Sequence, residues 1–493
     1  MEKYLSDLKK QGIAALIWDF FGKLSTQGMG FIVTIVLARL LEPSDFGLIA
    51  MIMVVVGMAQ VFTDIGLGGA LIQRKEVTQT HYSSVFYFNI SAAILLTLLT
   101  YFSAESIASF YENQRLIPLI ETISALFIFS AFGSVQTIKL RKQLKYAHIT
   151  KAAFVSAILS GVIGITLALY DAGVWSLVAQ LLSQSIFNST ILWLIAGWRP
   201  SFLFSLTALK QLWSFGFRMF LSSLLDAIYS RVDYLIIGKL FPAATLGYFQ
   251  RAKQFNLLVI QYTSGSLMSV LFPILSKIQD DLPRFQMVIL KSLHTLCFAV
   301  FFLLGGLYLV SEEVIVFLFT EKWLPSVNYM QLLLLSGFSY PLSALLVNIL
   351  SSRGKSKAFL RLEILKKLVN SLNFINAIYF GMESYLFGLV ITAFIGISLN
   401  IIFAAKEIRL KVIDFYKPII IQMALCVFCV YCILYFTNML ELGYLIGFFV
   451  KGSLFVVLFT LLNFVFKTES FKVIFDQFSP FIKRKIGNGH AKY

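Results

Sequence analysis

Stretches of about 20 apolar residues follow one another along the whole chain, each broken by a short charged segment. A helix of that length crosses the hydrocarbon core of a bilayer while satisfying its own backbone hydrogen bonds, which no irregular segment can do there. Composition agrees, with 58% of residues hydrophobic, 13% charged and a mean hydropathy of +0.81. A soluble domain is about a quarter charged. The chain of 493 residues therefore reads as an all-α, polytopic integral membrane protein, and a soluble multidomain architecture is excluded.

Apolar windows set against charged breaks predict about fourteen spans. They cover residues 13–41, 46–72, 83–103, 116–137, 152–170, 174–197, 214–240, 245–275, 287–310, 326–350, 358–380, 384–405, 416–437 and 442–466. The first is interrupted by Asp19 and Lys23, is too long for a signal core and lacks a small-residue cleavage site, so it reads as a retained span. The eleventh carries Lys366, Lys367, Asn370, Asn373 and Asn376. "CVFCVYC" (Cys426 to Cys432) has metal-like spacing, but one helix cannot wrap four ligands around zinc and no His is near. These cysteines read as buried small hydrophobes, and neither a metal site nor a cofactor is expected.

An even number of spans puts both termini on one side, and charge selects it. Of the 41 Lys and Arg residues, about 32 are assigned to the tails and even-numbered loops, against roughly 4 at odd-numbered loops (Arg39, Arg115, Lys239 and Lys322). That asymmetry places both termini in the cytoplasm. It also accounts for the net charge of +16. "KLRKQLKY" (Lys139 to Tyr146) and "SSRGKSK" (Ser351 to Lys357) accordingly read as topology determinants facing anionic lipid headgroups, not as a nucleic-acid surface. Fourteen spans consume about 300 residues, which leaves no room for a soluble catalytic domain. The tail from Lys467, "FKVIFDQFSPFIKRK", reads as an interfacial amphipathic segment.

"LARLLEPSDFG" (Leu37 to Gly47) closes the first span, and "IGKLFPAATLG" (Ile237 to Gly247) closes the seventh, 200 positions on. Arg39 matches Lys239, Leu40 matches Leu240 and Gly47 matches Gly247, with a proline between in each. "FGKL" (Phe21 to Leu24) and "FGFR" (Phe215 to Arg218) mark the starts of the same two spans. Six spans separate the copies, so both run the same way, which is a parallel repeat about an axis along the membrane normal. The expected organisation is an N-lobe over 1–200, a C-lobe over 201–410, two added spans over 411–466 and a cytoplasmic tail over 467–493. Two six-span lobes flanking a cleft suit alternating access.

"LARLLEPSDFGLIAM" (Leu37 to Met51), "FTDIGLGGALIQRK" (Phe62 to Lys75) and "RVDYLIIGKLFPAATLGYFQRAKQ" (Arg231 to Gln254), in that order, resemble Wzx-type polysaccharide flippases. The resemblance is to the colanic acid exporter-like group, in the polysaccharide-transporter branch of the multidrug/oligosaccharidyl-lipid/polysaccharide superfamily, and it extends over the whole chain. It implies two six-helix bundles in a V with two extra C-terminal helices. It also implies translocation of undecaprenyl-pyrophosphate-linked oligosaccharide across the bacterial cytoplasmic membrane for lipopolysaccharide or exopolysaccharide synthesis. The partners it implies are that lipid-linked oligosaccharide, membrane lipids and the polysaccharide polymerase machinery. Spans one, two, seven and eight line the cleft in this superfamily.

Such a cargo needs a hydrated cavity for sugar and positive charge for phosphates. An ionised side chain at midmembrane costs about 2.5–3.5 kcal/mol, so four facing lipid would cost about 10–14 kcal/mol, as much as a domain's stability. Lys23, Arg231, Arg251 and Lys253 are therefore expected to face the cavity and bind the pyrophosphate. Asp19, Gln27, Thr34 and Lys23 share a helical stripe in span one, as do Ser222, Asp226, Ser230 and Asp233 in span seven. Gln250, Gln254 and Gln261 align in span eight, and Gln60, Thr63 and Asp64 precede a helix-loosening "GLGG" in span two. Asp19, Asp64, Asp226 and Asp233 are the candidates for ion coupling. The alternative is that these charges only pair with one another, as Arg231 could with Asp226 or Asp233. Lys451, in span fourteen, is expected to snorkel to an interface.

Other functions are weighed against the same residues. A lipid II flippase of this superfamily carries several arginines in its first two spans, where this chain offers Lys23 and, at the outer end, Arg39. A drug/cation antiporter favours an acidic cavity, and here both signs mix. A polysaccharide polymerase or ligase places catalytic groups on a long outer loop, which the span lengths do not leave room for. No enzymatic activity is expected.

Overall fold

The computed structural model describes residues 2–260, 263, 266–440 and 442–475, with side chains left out for 2–17, 19, 20, 23 and 266–270. Among the described residues all regular structure is helical, as the hydropathy pattern requires. Ten helical stretches among them are long and apolar enough to cross a membrane. The chain divides into two compact units, one ending at Gly247 and one beginning at Tyr248.

The first unit contains α1 (Glu2–Leu40), α2 (Pro43–Ala59), a 3-10 turn (Gln60–Thr63), α3 (Leu67–Gln73), α4 (Gln79–Phe102) and α5 (Ala104–Phe110). It continues through α6 (Leu116–Ile123), α7 (Leu126–Lys142), α8 (Tyr146–Leu169), α9 (Val174–Ile195) and α10 (Leu206–Leu240). α8 packs on both α1 and α9, α7 on α4 and α9, and α10 on α2 and α3. A core of Leu67, Leu71, Val85, Phe86, Trp198 and Leu212 gathers around the short α3. Small residues allow the close approaches: a Cβ on Gly161 of α8 would meet Val33 of α1 at 2.5 Å.

α10 is 35 residues long yet does not qualify as an uninterrupted apolar span, because Asp226, Arg231 and Asp233 lie within it. Charges of this kind persist in a spanning helix when they turn toward protein or a wet cavity.

The two matching corners have the same backbone. Leu41 N–H donates to the Leu37 carbonyl (2.8 Å) and Asp45 N–H to that of Glu42 (3.0 Å). At the second corner Phe241 N–H donates to Ile237 (3.0 Å) and Thr245 N–H to Pro242 (3.0 Å). They also touch reciprocally: a Cβ on Gly47 would run into the Ala243 carbonyl, and a Cβ on Gly247 into the Pro43 carbonyl. Residue 47 meets 243 as 247 meets 43, the signature of a two-fold contact. Lys239 Nζ donates to Glu112 Oε1 at 2.6 Å beside this corner, and that bond holds the Glu112 carboxyl below its ordinary range.

α11 (Ala243–Ile260) leads into the second unit, followed by α12 (Ser266–Lys277), α13 (Leu282–Leu309), α14 (Ser311–Phe319), a 3-10 turn (Glu321–Trp323) and α15 (Pro325–Gly337). Then come α16 (Ser339–Ser352), α17 (Ser356–Ile408), α18 (Val412–Thr437) and α19 (Tyr444–Val465). α17 is a helical hairpin, reversing at Gly381, where φ is +86° and ψ −177°. Only glycine reaches that region without a steric cost. Amides bind the arms: Asn373 Nδ2 donates to the Tyr385 carbonyl (2.8 Å) and Asn370 Oδ1 accepts from Thr392 Oγ1 (3.4 Å), while Asn376 Nδ2 donates to Asn373 Oδ1 within the first arm (2.8 Å). The asparagine ladder of the eleventh span is thus interhelical glue.

α18 packs on α13, and α19 on both α14 and α18. Lys451 does not snorkel to an interface; its Nζ lies 2.5 Å from Glu313 Oε1 of α14, with side chains 15% and 6% exposed. A buried carboxylate 138 positions away in sequence supplies the partner. Gln422 Nε2 donates to Asn463 Oδ1 (2.7 Å) between α18 and α19. Cys426 and Cys429 are buried, with Cys426 Sγ against the Phe301 carbonyl at 3.4 Å.

Candidate functional site

The second span breaks at "DIGLGG" (Asp64 to Gly69). α2 tightens into the 3-10 turn, and Ile65 (φ +41°) and Gly66 (φ +72°) then take left-handed conformations. A β-branched residue there is a true outlier, held by its surroundings. α10 supplies them: a Cβ on Gly66 would strike the Gly216 carbonyl. Asp64 caps the restart, its Oδ1 accepting from Gly68 N–H at 2.9 Å, at the positive end of α3. Behind the break the buried Asn89 amide, with its nitrogen turned to the chain, reaches the Thr63 carbonyl at 3.0 Å and accepts from Ser134 at 3.1 Å. Breaking a spanning helix frees backbone groups that must find such partners.

A pocket of about 350 Å³ opens at this break, lined by Gly57, Gln60, Val61, Asp64, Gly66, Phe220 and Ser223. Arg231 stands beside it. Its Nη1 donates to the Met53 carbonyl of α2 at 2.6 Å, and its guanidinium fills the place where a Gly57 side chain would be. Gly57 and Asp64 are seven residues apart, about 10 Å along the helix axis. Asp64, Gln60 and Ser223 thus give a largely apolar recess of the first unit its polar groups, and the Arg231 guanidinium stands at Gly57 on its rim. That set can hold a phosphate oxygen on the guanidinium and exchange a proton or a cation at the carboxylate.

The remaining expected residues lie elsewhere. Asp19 and Lys23 fall in α1, with their side chains outside the described residues. Asp226 and Ser230 are exposed and Asp233 half-buried on α10, on a face turned roughly 100° from the Phe220–Ser223–Arg231 stripe. Among the described residues Arg231 forms no ion pair with Asp226 or Asp233. In the second unit Arg251 is buried and its Nη1 donates to Gln254 Oε1 at 2.9 Å. Lys253 Nζ lies 5.3 Å from the Phe249 ring centroid, a cation–π distance. Gln261 lies outside the described residues.

Sequence reasoning missed Gly57, Ser223 and Asn89. Asn89 carried a usable signal, a lone amide in the apolar "VFYFNISAA" (Val85 to Ala93). Ser223 and Gly57 carried none, since small residues occur throughout spanning helices.

A family profile described as "Polysaccharide biosynthesis protein" matches residues 36–328. The teichuronic acid biosynthesis protein TuaB of Bacillus subtilis is 30% identical over 282 residues, which span 57% of this chain and 58% of TuaB. The lipopolysaccharide biosynthesis protein WzxC of Escherichia coli is 25% identical over 350 residues, 69% of this chain and 70% of WzxC. Among solved structures, the lipid II flippase MurJ in an inward closed conformation superposes with a TM-score of 0.71 over 92% of this chain and 100% of MurJ, at 17% identity. That likeness speaks for the fold alone. With more than half its length matched by one profile, and with its spans and corners in that order, this multi-pass membrane protein belongs to the polysaccharide biosynthesis protein family.

Proposed function

We propose that the protein is a flippase that moves undecaprenyl-pyrophosphate-linked oligosaccharide across the bacterial cytoplasmic membrane by alternating access, and so supplies surface polysaccharide. The carrying observation is the recess at the broken second span, which Asp64, Gln60 and Ser223 line and beside which the Arg231 guanidinium is held on the Met53 carbonyl. A guanidinium there suits a diphosphate, and the neighbouring Gln60 and Ser223 suit hydroxyls. Family membership supports this reading, as do TuaB and WzxC, both named for polysaccharide biosynthesis.

In this proposal Arg231 binds phosphate, with Lys23, Arg251 and Lys253 as further cationic stations. Asp64 is the foremost ion-coupling group, ahead of Asp19, Asp226 and Asp233. The repeat divides the chain into lobes at 1–200 and 201–410, both termini are cytoplasmic, and the protein carries out no covalent chemistry. Contacts with the polymerase of the same pathway belong to the proposal as well.

The test is a strain whose only flippase is this protein. Arg231→Gln should abolish surface polysaccharide and leave lipid-linked oligosaccharide accumulating on the cytoplasmic leaflet, with the protein present at wild-type level. Normal polysaccharide output from that variant refutes the assignment.

A further inference from the structure

"SSRGKSK" holds more than a topology signal. The turn from α16 into α17 forms one wall of a cavity of about 730 Å³, lined by Lys355, Lys357, Arg361 and Lys406 on its polar side and by Leu350, Ile402 and Phe403 on its apolar side. It sits at the open end of the α17 hairpin, where the two arms diverge. Glu407, the one acid in its wall, is already engaged: Arg353 Nε lies 2.9 Å from its Oε1 and Lys355 Nζ 3.8 Å from the same atom. Lys357, Arg361 and Lys406 form no ion pair among the described residues, so three positive charges converge on a concave surface without neutralisation. Cations serving only to orient a helix have no reason to surround a cavity.

Depth and shape narrow the occupant. Each arm of α17 runs about 25 residues from the Gly381 reversal, about 37 Å, against a hydrocarbon core of about 30 Å. The cavity therefore lies at headgroup level on the face opposite the reversal. From its apolar wall an exposed stripe, Ile402, Ile395, Ile391 and Phe387, descends the second arm for about 22 Å. A cationic mouth above an apolar track fits an amphiphile with a phosphate head and hydrocarbon tail. We propose that this cavity is a binding site for an anionic glycerophospholipid of the surrounding bilayer, held by Lys357, Arg361 and Lys406. The site lies in the second unit and does not depend on the transport reading.

The experiment uses the full chain in neutral detergent, with lipid retention read by native mass spectrometry. The probes are dioleoylphosphatidylglycerol, dioleoylphosphatidylcholine, inorganic phosphate and undecaprenyl diphosphate. Phosphatidylglycerol should bind the wild type in preference to phosphatidylcholine. The triple variant Lys357→Gln, Arg361→Gln, Lys406→Gln should weaken it about 100-fold, at about fivefold per cation near a membrane surface. A charge-matched control, Lys139→Gln, Arg141→Gln, Lys145→Gln, should bind as the wild type does. Should the triple variant fail to fold by size exclusion and circular dichroism, Lys406→Glu alone should still weaken binding at least about tenfold. Retention within threefold of wild type in the cavity variant overturns the proposal, as does an equal loss in the control. Tighter binding of undecaprenyl diphosphate or inorganic phosphate than of phosphatidylglycerol at these residues overturns it in favour of the cargo or a free anion.

Discussion

Asp64 carries two separable roles, and two substitutions pull them apart. Its Oδ1 accepts from Gly68 N–H at 2.9 Å and so satisfies an orphan donor at the start of a helix only seven residues long. Losing such a cap costs about 1 kcal/mol, within about 0.5–2. Asp64→Ala removes that cap. Asp64→Asn keeps an oxygen in place for the Gly68 N–H and removes only a charge whose burial is costly. Unfolding of the purified chain in mixed micelles should therefore place the Ala variant about 1 kcal/mol below the Asn variant. In the cell both variants should lose polysaccharide export, because neither restores an ionisable group to the recess. Equal stability of the two variants would refute the capping role, and full export by Asp64→Asn would refute ion coupling at this residue.

Alanine at Gly47 or Gly247 must displace the backbone of the opposite corner, so each should cost about 1–3 kcal/mol or more. Gly28→Ala and Gly30→Ala, where a Cβ meets nothing within 4 Å, are the controls in the same unfolding assay. Lys451→Met strands the buried Glu313 carboxylate and should destabilise by about 3–5 kcal/mol. Adding Glu313→Gln to that variant should recover most of the loss, and a double variant as unstable as the single one would show that the ion pair is not the cause.

The architecture was largely legible because its signals are local. Apolar length marked the spans, and proline and glycine marked two corners, 200 positions apart, that repeat the same local hydrogen bonds. The break in the second span was signalled by "GLGG", although the left-handed Ile65 was not, since α10 imposes it from 150 residues away. On α10 the polar periodicity marks the Ser222–Asp226–Ser230 stripe, while the pocket takes Phe220 and Ser223 from a neighbouring face. Arg231 was expected to face a cavity, and the partner it has, the Met53 carbonyl, could not be read from the sequence, since every residue has a carbonyl. Lys451 was misjudged for a related reason, because its carboxylate lies on another helix altogether.

The reversal at Gly381 governs how this region first enters the bilayer. The arm before it holds Lys366, Lys367 and three asparagines, a poor substrate for insertion alone, since each lysine at depth opposes partition by about 2.5–3.5 kcal/mol. The arm after it is rich in isoleucine, leucine and phenylalanine. With Asn373 bonded to the Tyr385 carbonyl across the reversal, the weak arm borrows the partition energy of the strong one. We therefore expect the two arms to insert as one hairpin and not as two consecutive helices.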